Sequence, residues 1–165
     1  MRRMGRGYPK CDIVRPSLPV TIEATIDIDA PPERVWEILV DLASYAEWNP
    51  FTPRIDASLR LGEPVVLHVA MKPGKPLLVQ REICSASDPA ARELGWGMTM
   101  GLPLLLRADR VQRLTSLPGG TTRYWTGDTF SGLLTPLVMS LYRADIQRGF
   151  DGVARALKER AESSA

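Results

Sequence analysis

The sequence predicts an α+β fold in which a curved, seven-stranded antiparallel sheet wraps around one long C-terminal helix. Three observations support this prediction. An alternating strand at 20–29 is followed at once by two short helices, a run of about six strands fills the middle of the chain, and a helical period extends from about residue 133 to 162. A curved sheet buries such a helix, because the apolar face of the helix can fill the concave side.

The first strand alternates apolar residues with acidic and threonine residues, which is typical of a half-buried strand. The helical pattern after it opens with two prolines, which suit a first turn where no N–H is needed. Asp41 could cap a second short helix that ends before Pro50. The further strand-like segments are 63–72, 76–86 as a weaker strand, 91–100, 106–117 and 121–130.

Two features of these elements leave alternatives open. In 76–86, Arg81 shares the parity of Leu77, Val79 and Ile83, which allows an inward Arg81. In the long helix, Gly149 costs about 1 kcal/mol relative to alanine. It makes room for a ligand or for close contact with the sheet, or the helix frays there.

The composition is that of an ordinary globular protein with one domain. The chain has 165 residues, of which 44% are hydrophobic and 24% charged, and its net charge of +2 is too small to indicate a nucleic-acid partner. No apolar run approaches the roughly 18 residues that span a bilayer, so no transmembrane segment is predicted and a cytoplasmic location is expected. Five basic residues among glycines and prolines predict a flexible leader over 1–19, ahead of a single domain over 20–162.

Motifs for metal, cofactor or triad chemistry are missing from the sequence. Cys11 and Cys84 lack metal-site spacing, and His68 is the only histidine. The glycine-rich stretches lack the residues of a phosphate loop or a dinucleotide fingerprint. No metal and no cofactor are therefore predicted.

The loop "PGG" at 118–120 allows the register of the last hairpin to be counted. A three-residue loop pairs Leu117 with Thr121, and side chains two residues apart share a face. One face then carries the pairs Leu114–Tyr124, Gln112–Thr126, Arg110–Asp128 and Ala108–Phe130.

This face is expected to point inward because its outer pairs are apolar, and it then holds a polar layer of Arg110, Gln112, Thr126 and Asp128. Buried charges are costly unless they are paired, and an arginine opposite a carboxylate meets that demand. Either the pair is structural, or Arg110 keeps donors free to orient a ligand. A register error of one residue would turn the whole layer to solvent.

The order of elements resembles the START-like helix-grip superfamily, in particular its polyketide cyclase/dehydrase-like branch. The resemblance covers about 20–160 and rests on "IDAPPERVWEILVDLASYAEWNPF", "LGW", "LPGGTTRY" and "FSGLLTPL" running into "GFDGVARALKERAE". It implies a cavity for small apolar or amphipathic molecules rather than a reaction, because only a minority of such domains are enzymes. In relatives, histidine and phenylalanine often stand at the positions matching Arg110 and Gln112, so the pocket here would be more polar.

The resemblance also places "WNPF" beside the cavity mouth. Trp48 and Phe51 would plug or line the gap between the short helices and the sheet, or simply belong to the core. Asn49 would cap a turn or recognise the ligand. The other predicted ligand contacts are Val65, Leu67, Trp96, Met98, Arg110, Gln112, Thr126, Asp128, Tyr142, Ile146 and Phe150.

Three functional hypotheses follow. The first is a non-enzymatic domain that binds a small hydrophobic or amphipathic molecule between the sheet and the C-terminal helix. The second is a cyclase- or dehydratase-like enzyme for an aromatic or polyketide substrate, in which Arg110 polarises a carbonyl and Asp128 or a bound water moves a proton. It ranks below the first because the sequence offers no defensible histidine or tyrosine dyad. The third is a protein-interaction module with a residual cavity.

Overall fold

The computed structural model describes residues 18–102 and 104–163. Its strands form one antiparallel sheet in the order β1-β7-β6-β5-β4-β3-β2, which confirms the predicted seven-stranded α+β fold. The predicted leader over 1–19, with Cys11, falls almost wholly outside the described residues. The strands are β1 Val20–Ile28, β2 Arg54–Ala57, β3 Pro64–Val69, β4 Leu78–Asp88, β5 Glu93–Met100, β6 Leu106–Ser116 and β7 Thr122–Ser131.

The helices also follow the prediction, except that Asp41 makes no side-chain capping hydrogen bond and the residue at the N-cap of the second short helix is Ser44. Helix α1 spans Pro32–Val40, with Pro31 at its N-cap and Pro32 in its first turn. One 3₁₀ turn at Leu42–Ser44 leads into the short helix α2, Tyr45–Trp48. Helix α3, Thr135–Glu162, is 28 residues long and buries an apolar stripe that includes Ile146, Phe150 and Val153. None of the helices in the described ranges is long and apolar enough to cross a membrane.

Helix α3 packs along β1, which is an edge strand of the sheet. Two side chains of α3 reach backbone carbonyls of β1. Gln147 Nε2 donates to the carbonyl oxygen of Glu23 at 2.9 Å, and Lys158 Nζ donates to that of Asp27 at 2.8 Å. Polar groups of the helix therefore occupy acceptors that an edge strand would otherwise present to solvent.

The hairpin of β6 and β7 has the predicted register. Leu117 N–H donates to the Thr121 carbonyl at 2.9 Å, and Arg110 lies opposite Asp128 in the ladder. The inward face of β6 is buried and its outward face is largely exposed, as the period of two requires. The predicted pairs Leu114–Tyr124, Gln112–Thr126 and Ala108–Phe130 are all present.

Strand β4 differs from the expectation. The face that points to the concave side carries Gln80 and Glu82, and Arg81 lies exposed on the convex side. An inward Arg81 is therefore wrong. The apolar neighbours Val79 and Ile83 are also exposed, so hydrophobicity alone indicates the wrong face of this strand. A bulge between Cys84 and Ala86 further breaks the alternation along β4.

Three connections lie at one end of the sheet, because the strands are antiparallel. They are the β3–β4 loop at 70–77, the β5–β6 loop at 101–105 and the β7–α3 junction at 132–134. Backbone bonds join the last two: Leu133 N–H donates to Leu104 O at 2.9 Å, and Leu134 N–H to Leu105 O at 3.0 Å. The remaining turns between strands, including "PGG", lie at the opposite end.

Candidate functional site

A cavity of about 220 Å³ lies between the concave face of the sheet and α3. Most of its wall is apolar and comes from the sheet, from α3 and from the segment after α2. The lining residues are Phe51, Thr52, Leu67, Val69, Met71, Leu78, Gln80, Glu82, Trp96, Met98, Met100, Leu106, Ala108, Arg110, Asp128, Phe130, Val138, Tyr142, Ile146 and Phe150.

The cavity opens at the end of the sheet that holds the three connections. Among its lining residues, Leu78 and Met100 are 43% and 47% exposed and lie next to the β3–β4 and β5–β6 loops. Trp96 and Arg110, farther along their strands, are only 1% and 7% exposed. We call the first region the open end and the second the deep end of the cavity.

Nine of the residues predicted from the sequence line this cavity, and five lie elsewhere. Val65 is in the core at the far end of β3. Gln112 and Thr126 form the pair next to Arg110 and Asp128, one step farther from the open end. Trp48 packs edge-on against Tyr45 at 4.9 Å and borders a separate polar depression. The nine lining residues are Phe51, Leu67, Trp96, Met98, Arg110, Asp128, Tyr142, Ile146 and Phe150.

The fifth residue, Asn49, is buried and caps the turn that follows α2. Its Oδ1 accepts the backbone N–H of Phe51 at 3.1 Å and that of Thr52 at 2.8 Å. These bonds fix the path by which the chain enters β2. The ring of Phe51 is thereby held edge-on to the ring of Phe150, with 5.9 Å between centroids, and both rings face the cavity.

Arg110 is the central polar residue of the deep end. Its Nε donates to Thr126 Oγ1 at 3.3 Å, and its guanidinium carbon lies 4.4 Å from the centroid of the Phe150 ring and 5.8 Å from Trp96. It lies opposite Asp128 in the ladder as predicted, but no direct ion pair joins it to a carboxylate within the described residues. The aromatic faces attract the cation and hold it over the cavity instead.

Two carboxyl groups, Glu82 on β4 and Asp128 on β7, share the deep end with Arg110. Burial raises the pKa of Glu82 to about 7, and the nearby charge of Asp128 adds to this rise. Burial likewise raises the pKa of Asp128 to about 6. The positive charge of Arg110 opposes both shifts. The site therefore holds two carboxyl groups that exchange protons near neutral pH.

Glu82 was missed by the sequence reasoning, because the apolar parity of β4 points to the convex side. One signal could have found it. Glu82 shares its strand face with Leu78, Gln80 and Cys84, and Cys84 is buried. Cysteine is among the residue types most often buried, so its position favours this face as the inward one.

Three polar atoms in the cavity wall are shielded from solvent and have no hydrogen-bond partner within the described part of the chain. They are Thr52 Oγ1, Trp96 Nε1 and Asp128 Oδ1. Buried polar groups are nearly always hydrogen-bonded in folded proteins. An indole N–H only donates and a carboxylate oxygen accepts, so the wall offers both an unused hydrogen-bond donor and an unused acceptor.

The sequence and the fold are similar to those of known proteins. A model of the family described as polyketide cyclase / dehydrase and lipid transport matches residues 19–162. The structure is similar to the Zhui aromatase/cyclase from Streptomyces sp. R1128, with a TM-score of 0.68, 21% identity, and coverage of 88% of this chain and 94% of that one. No curated protein matches the chain by sequence.

Two further solved structures show the same fold. A START superfamily protein from Mycobacterium smegmatis has a TM-score of 0.66 at 17% identity, and the alignment covers 88% of this chain and 99% of that one. Norcoclaurine synthase from Thalictrum flavum has a TM-score of 0.68 at 12% identity, and the alignment covers 92% of this chain and 98% of that one. At these identities the likeness establishes the fold alone.

Proposed function

The chain belongs to the polyketide cyclase / dehydrase and lipid transport family, a branch of the START-like helix-grip superfamily, and from this premise we propose that it binds one small amphipathic molecule in the cavity. The polar group of the ligand lies at the deep end and its apolar part extends toward the open end. The cytoplasmic location and the lack of a nucleic-acid partner stay predictions from composition.

One observation carries this proposal: polar groups with unused hydrogen-bonding capacity lie at the deep end of an otherwise apolar cavity. Arg110 donates to an oxygen of the ligand, and Asp128 Oδ1, which has no partner among the described residues, accepts from a hydroxyl or amine. A ligand without polar groups would leave both buried groups unsatisfied, which costs binding free energy.

The apolar contacts come from both walls of the cavity. Leu67, Trp96 and Met98 contribute from the sheet, and Tyr142, Ile146 and Phe150 contribute from α3, with Phe51 beside them. The volume of about 220 Å³ lies below the roughly 300–1,000 Å³ of pockets for drug-sized ligands. A compact molecule is therefore favoured.

The remaining predicted residues act through their neighbours in this proposal. Thr126 holds the Arg110 side chain, and Gln112 accepts the Tyr124 hydroxyl at 2.8 Å. Asn49 positions Phe51 by its turn hydrogen bonds. Trp48 and Val65 support the wall without facing the ligand.

Native mass spectrometry of the protein as purified tests the proposal, with intact and denatured masses compared. We expect a non-covalent adduct that is lost on denaturation, and a hydrophobic fluorescent probe, anilinonaphthalene sulfonate, that competes with it. Arg110→Ala should weaken binding of the adduct at least tenfold while circular dichroism shows a folded chain. Arg113→Ala, on the outward face of the same strand, is the matched control. A folded Arg110→Ala variant with unchanged affinity would remove Arg110 from the site.

A second candidate function is catalysis of a cyclase- or dehydratase-like reaction on an aromatic or polyketide substrate. The observation that favours it is the pair of carboxyl groups with raised pKa beside a buried arginine. The Asp128 carboxylate would take a proton from a carbon next to a carbonyl, and Arg110 would stabilise the resulting enolate oxygen. Turnover that is lost in Asp128→Asn, with ligand binding and folding retained, is the expected result for an enzyme. Unchanged turnover in that variant would exclude Asp128 as the base.

The third hypothesis, an interaction module with a residual cavity, is not favoured. A cavity filled by side chains would support it, whereas the space here is open at one end.

A further inference from the structure

We propose that the open end of the sheet docks on the surface of an anionic lipid bilayer. The docking surface, called the rim below, consists of the exposed leucines and lysines around the cavity opening: Lys72, Lys75, Leu77, Leu102, Leu104, Leu133, Leu137 and Leu141. This inference goes beyond ligand binding, because it assigns a partner to the outside of the molecule.

The first line of evidence is the apolar surface of the rim. Leu102 and Leu104 in the β5–β6 loop are 76% and 70% exposed. Leu133, Leu137 and Leu141 are also at least half exposed. Leu137 and Leu141, four residues apart, share one face at the start of α3, and Leu133 lies in the junction just before the helix. The hydrogen bond from Leu133 N–H to Leu104 O brings the two sets together. Exposed apolar residues gathered in this way mark an interaction surface.

The second line of evidence is the charge of the same end. The segments 70–80, 98–102, 104–107 and 131–144 surround the opening and contain no aspartate or glutamate, although the chain has 19 acidic residues. They contain four basic residues, Lys72, Lys75, Arg107 and Arg143, of which Arg107 is paired with Asp109 just outside these segments. Lys72 Nζ lies 5.3 Å from the centroid of the Tyr142 ring, which places this charge beside α3 at the opening. A basic surface of this kind complements anionic headgroups.

The chemistry of the rim favours a bilayer over a protein partner. The strongest contacts between proteins are enriched in tryptophan, tyrosine and arginine, and leucine is under-represented among them. The exposed large apolar side chains of the rim are leucines, which enter the boundary between headgroups and acyl chains while flanking lysines contact phosphates. A second copy of the chain fits poorly, because two basic rims would repel each other.

Docking in this orientation would turn the cavity opening toward the lipid. Leu78 and Met100 line the cavity and are exposed beside the rim. An apolar ligand could then pass between the bilayer and the cavity without crossing bulk water.

Flotation with unilamellar vesicles tests the proposal on the full chain. We expect binding to vesicles of phosphatidylcholine mixed with phosphatidylglycerol, at least tenfold weaker binding to phosphatidylcholine alone, and loss of binding in high salt. Leu102→Ser with Leu137→Ser should weaken binding about tenfold or more, and so should Lys72→Glu with Lys75→Glu.

Arg60→Glu and Leu61→Ser are the matched controls, because both residues are exposed in the β2–β3 turn at the opposite end. They should leave vesicle binding unchanged. The rim variants should also keep full affinity for anilinonaphthalene sulfonate in buffer, which separates this proposal from the binding function. The proposal would be overturned if wild-type protein bound neither kind of vesicle, or if the rim variants bound as well as wild type. Capture of a soluble protein by the rim without vesicle binding would assign the surface to a protein partner.

Discussion

The missing side chain at Gly149 allows the ring of Phe51 to lie directly against helix α3. A β-carbon at Gly149 would stand 2.3 Å from Cδ2 of that ring, closer than real side chains approach. The close neighbour that requires a glycine here is therefore Phe51, not the sheet. Gly149 leaves room for the ring of Phe51, which forms part of the cavity wall.

Gly149→Ala should lower the free energy of unfolding by about 1–3 kcal/mol, because the overpacked ring must move against Phe150. Gly152→Ala is the matched control: its added carbon would meet only Pro50 Cγ at 3.4 Å. That change should be neutral or stabilise the helix by up to about 1 kcal/mol. Urea denaturation of the two variants measures the difference. Equal stabilities would contradict the steric role of Gly149.

Asn49→Ala should destabilise the chain by about 2 kcal/mol, because two backbone N–H groups in a buried turn lose their acceptor. Asn49→Asp keeps an oxygen in that position and should cost less. Thermal unfolding followed by circular dichroism tests both changes. Were Asn49 a ligand contact instead, the alanine variant would keep its stability and lose only affinity.

The partly buried carboxyl groups Glu82 and Asp128 should make stability depend on pH. Their pKa values are higher in the folded chain than in the unfolded chain, so folding is favoured at low pH and loses free energy as pH rises through about 6 for Asp128 and about 7 for Glu82. Asp128→Asn removes one such group. Its stability relative to wild type should therefore increase by roughly 2 kcal/mol between about pH 4 and pH 8.

Urea denaturation of both proteins across this range measures that difference. Glu82→Gln should change in the same direction, with the increase centred at higher pH. A relative stability of Asp128→Asn that falls as pH rises would show that the carboxylate is stabilised in the folded chain, contrary to the expectation.

Arg110→Met should raise the pKa of both Asp128 and Glu82 further, because the guanidinium charge that lowers these values is removed. Carbon-detected NMR titration of the carboxyl groups measures the two values directly. Arg113→Met removes a charge that is paired with Glu93 on the outward face, so it should leave both titrations in place. Titrations that do not respond to Arg110→Met would place its charge too far away to act on the pair.

The sequence predicted the hairpin of β6 and β7 to the residue, because loop length and alternation fix the register of a hairpin on their own. It could not predict the partner of Arg110. The guanidinium of Arg110 packs on the ring of Phe150, which lies in α3, 40 positions farther along the chain. Long-range packing of this kind leaves no local pattern.

Strand β4 shows the second limit of sequence reasoning. Its convex face carries Val79 and Ile83, and its concave face carries Glu82, so the usual link between hydrophobicity and burial is reversed. A polar residue in a cavity wall looks like a surface residue in the sequence. For the same reason the apolar lining was easier to predict than the acidic group beside it.

The two hydrogen bonds from α3 to the edge of β1 have a consequence for the behaviour of the protein at high concentration. An uncovered edge strand is a template on which a strand from another molecule can pair and start a growing aggregate. Gln147 and Lys158 donate to the carbonyls of Glu23 and Asp27, which an added strand would need as hydrogen-bond acceptors. The helix that covers the cavity thus also keeps neighbouring molecules from joining their sheets into one.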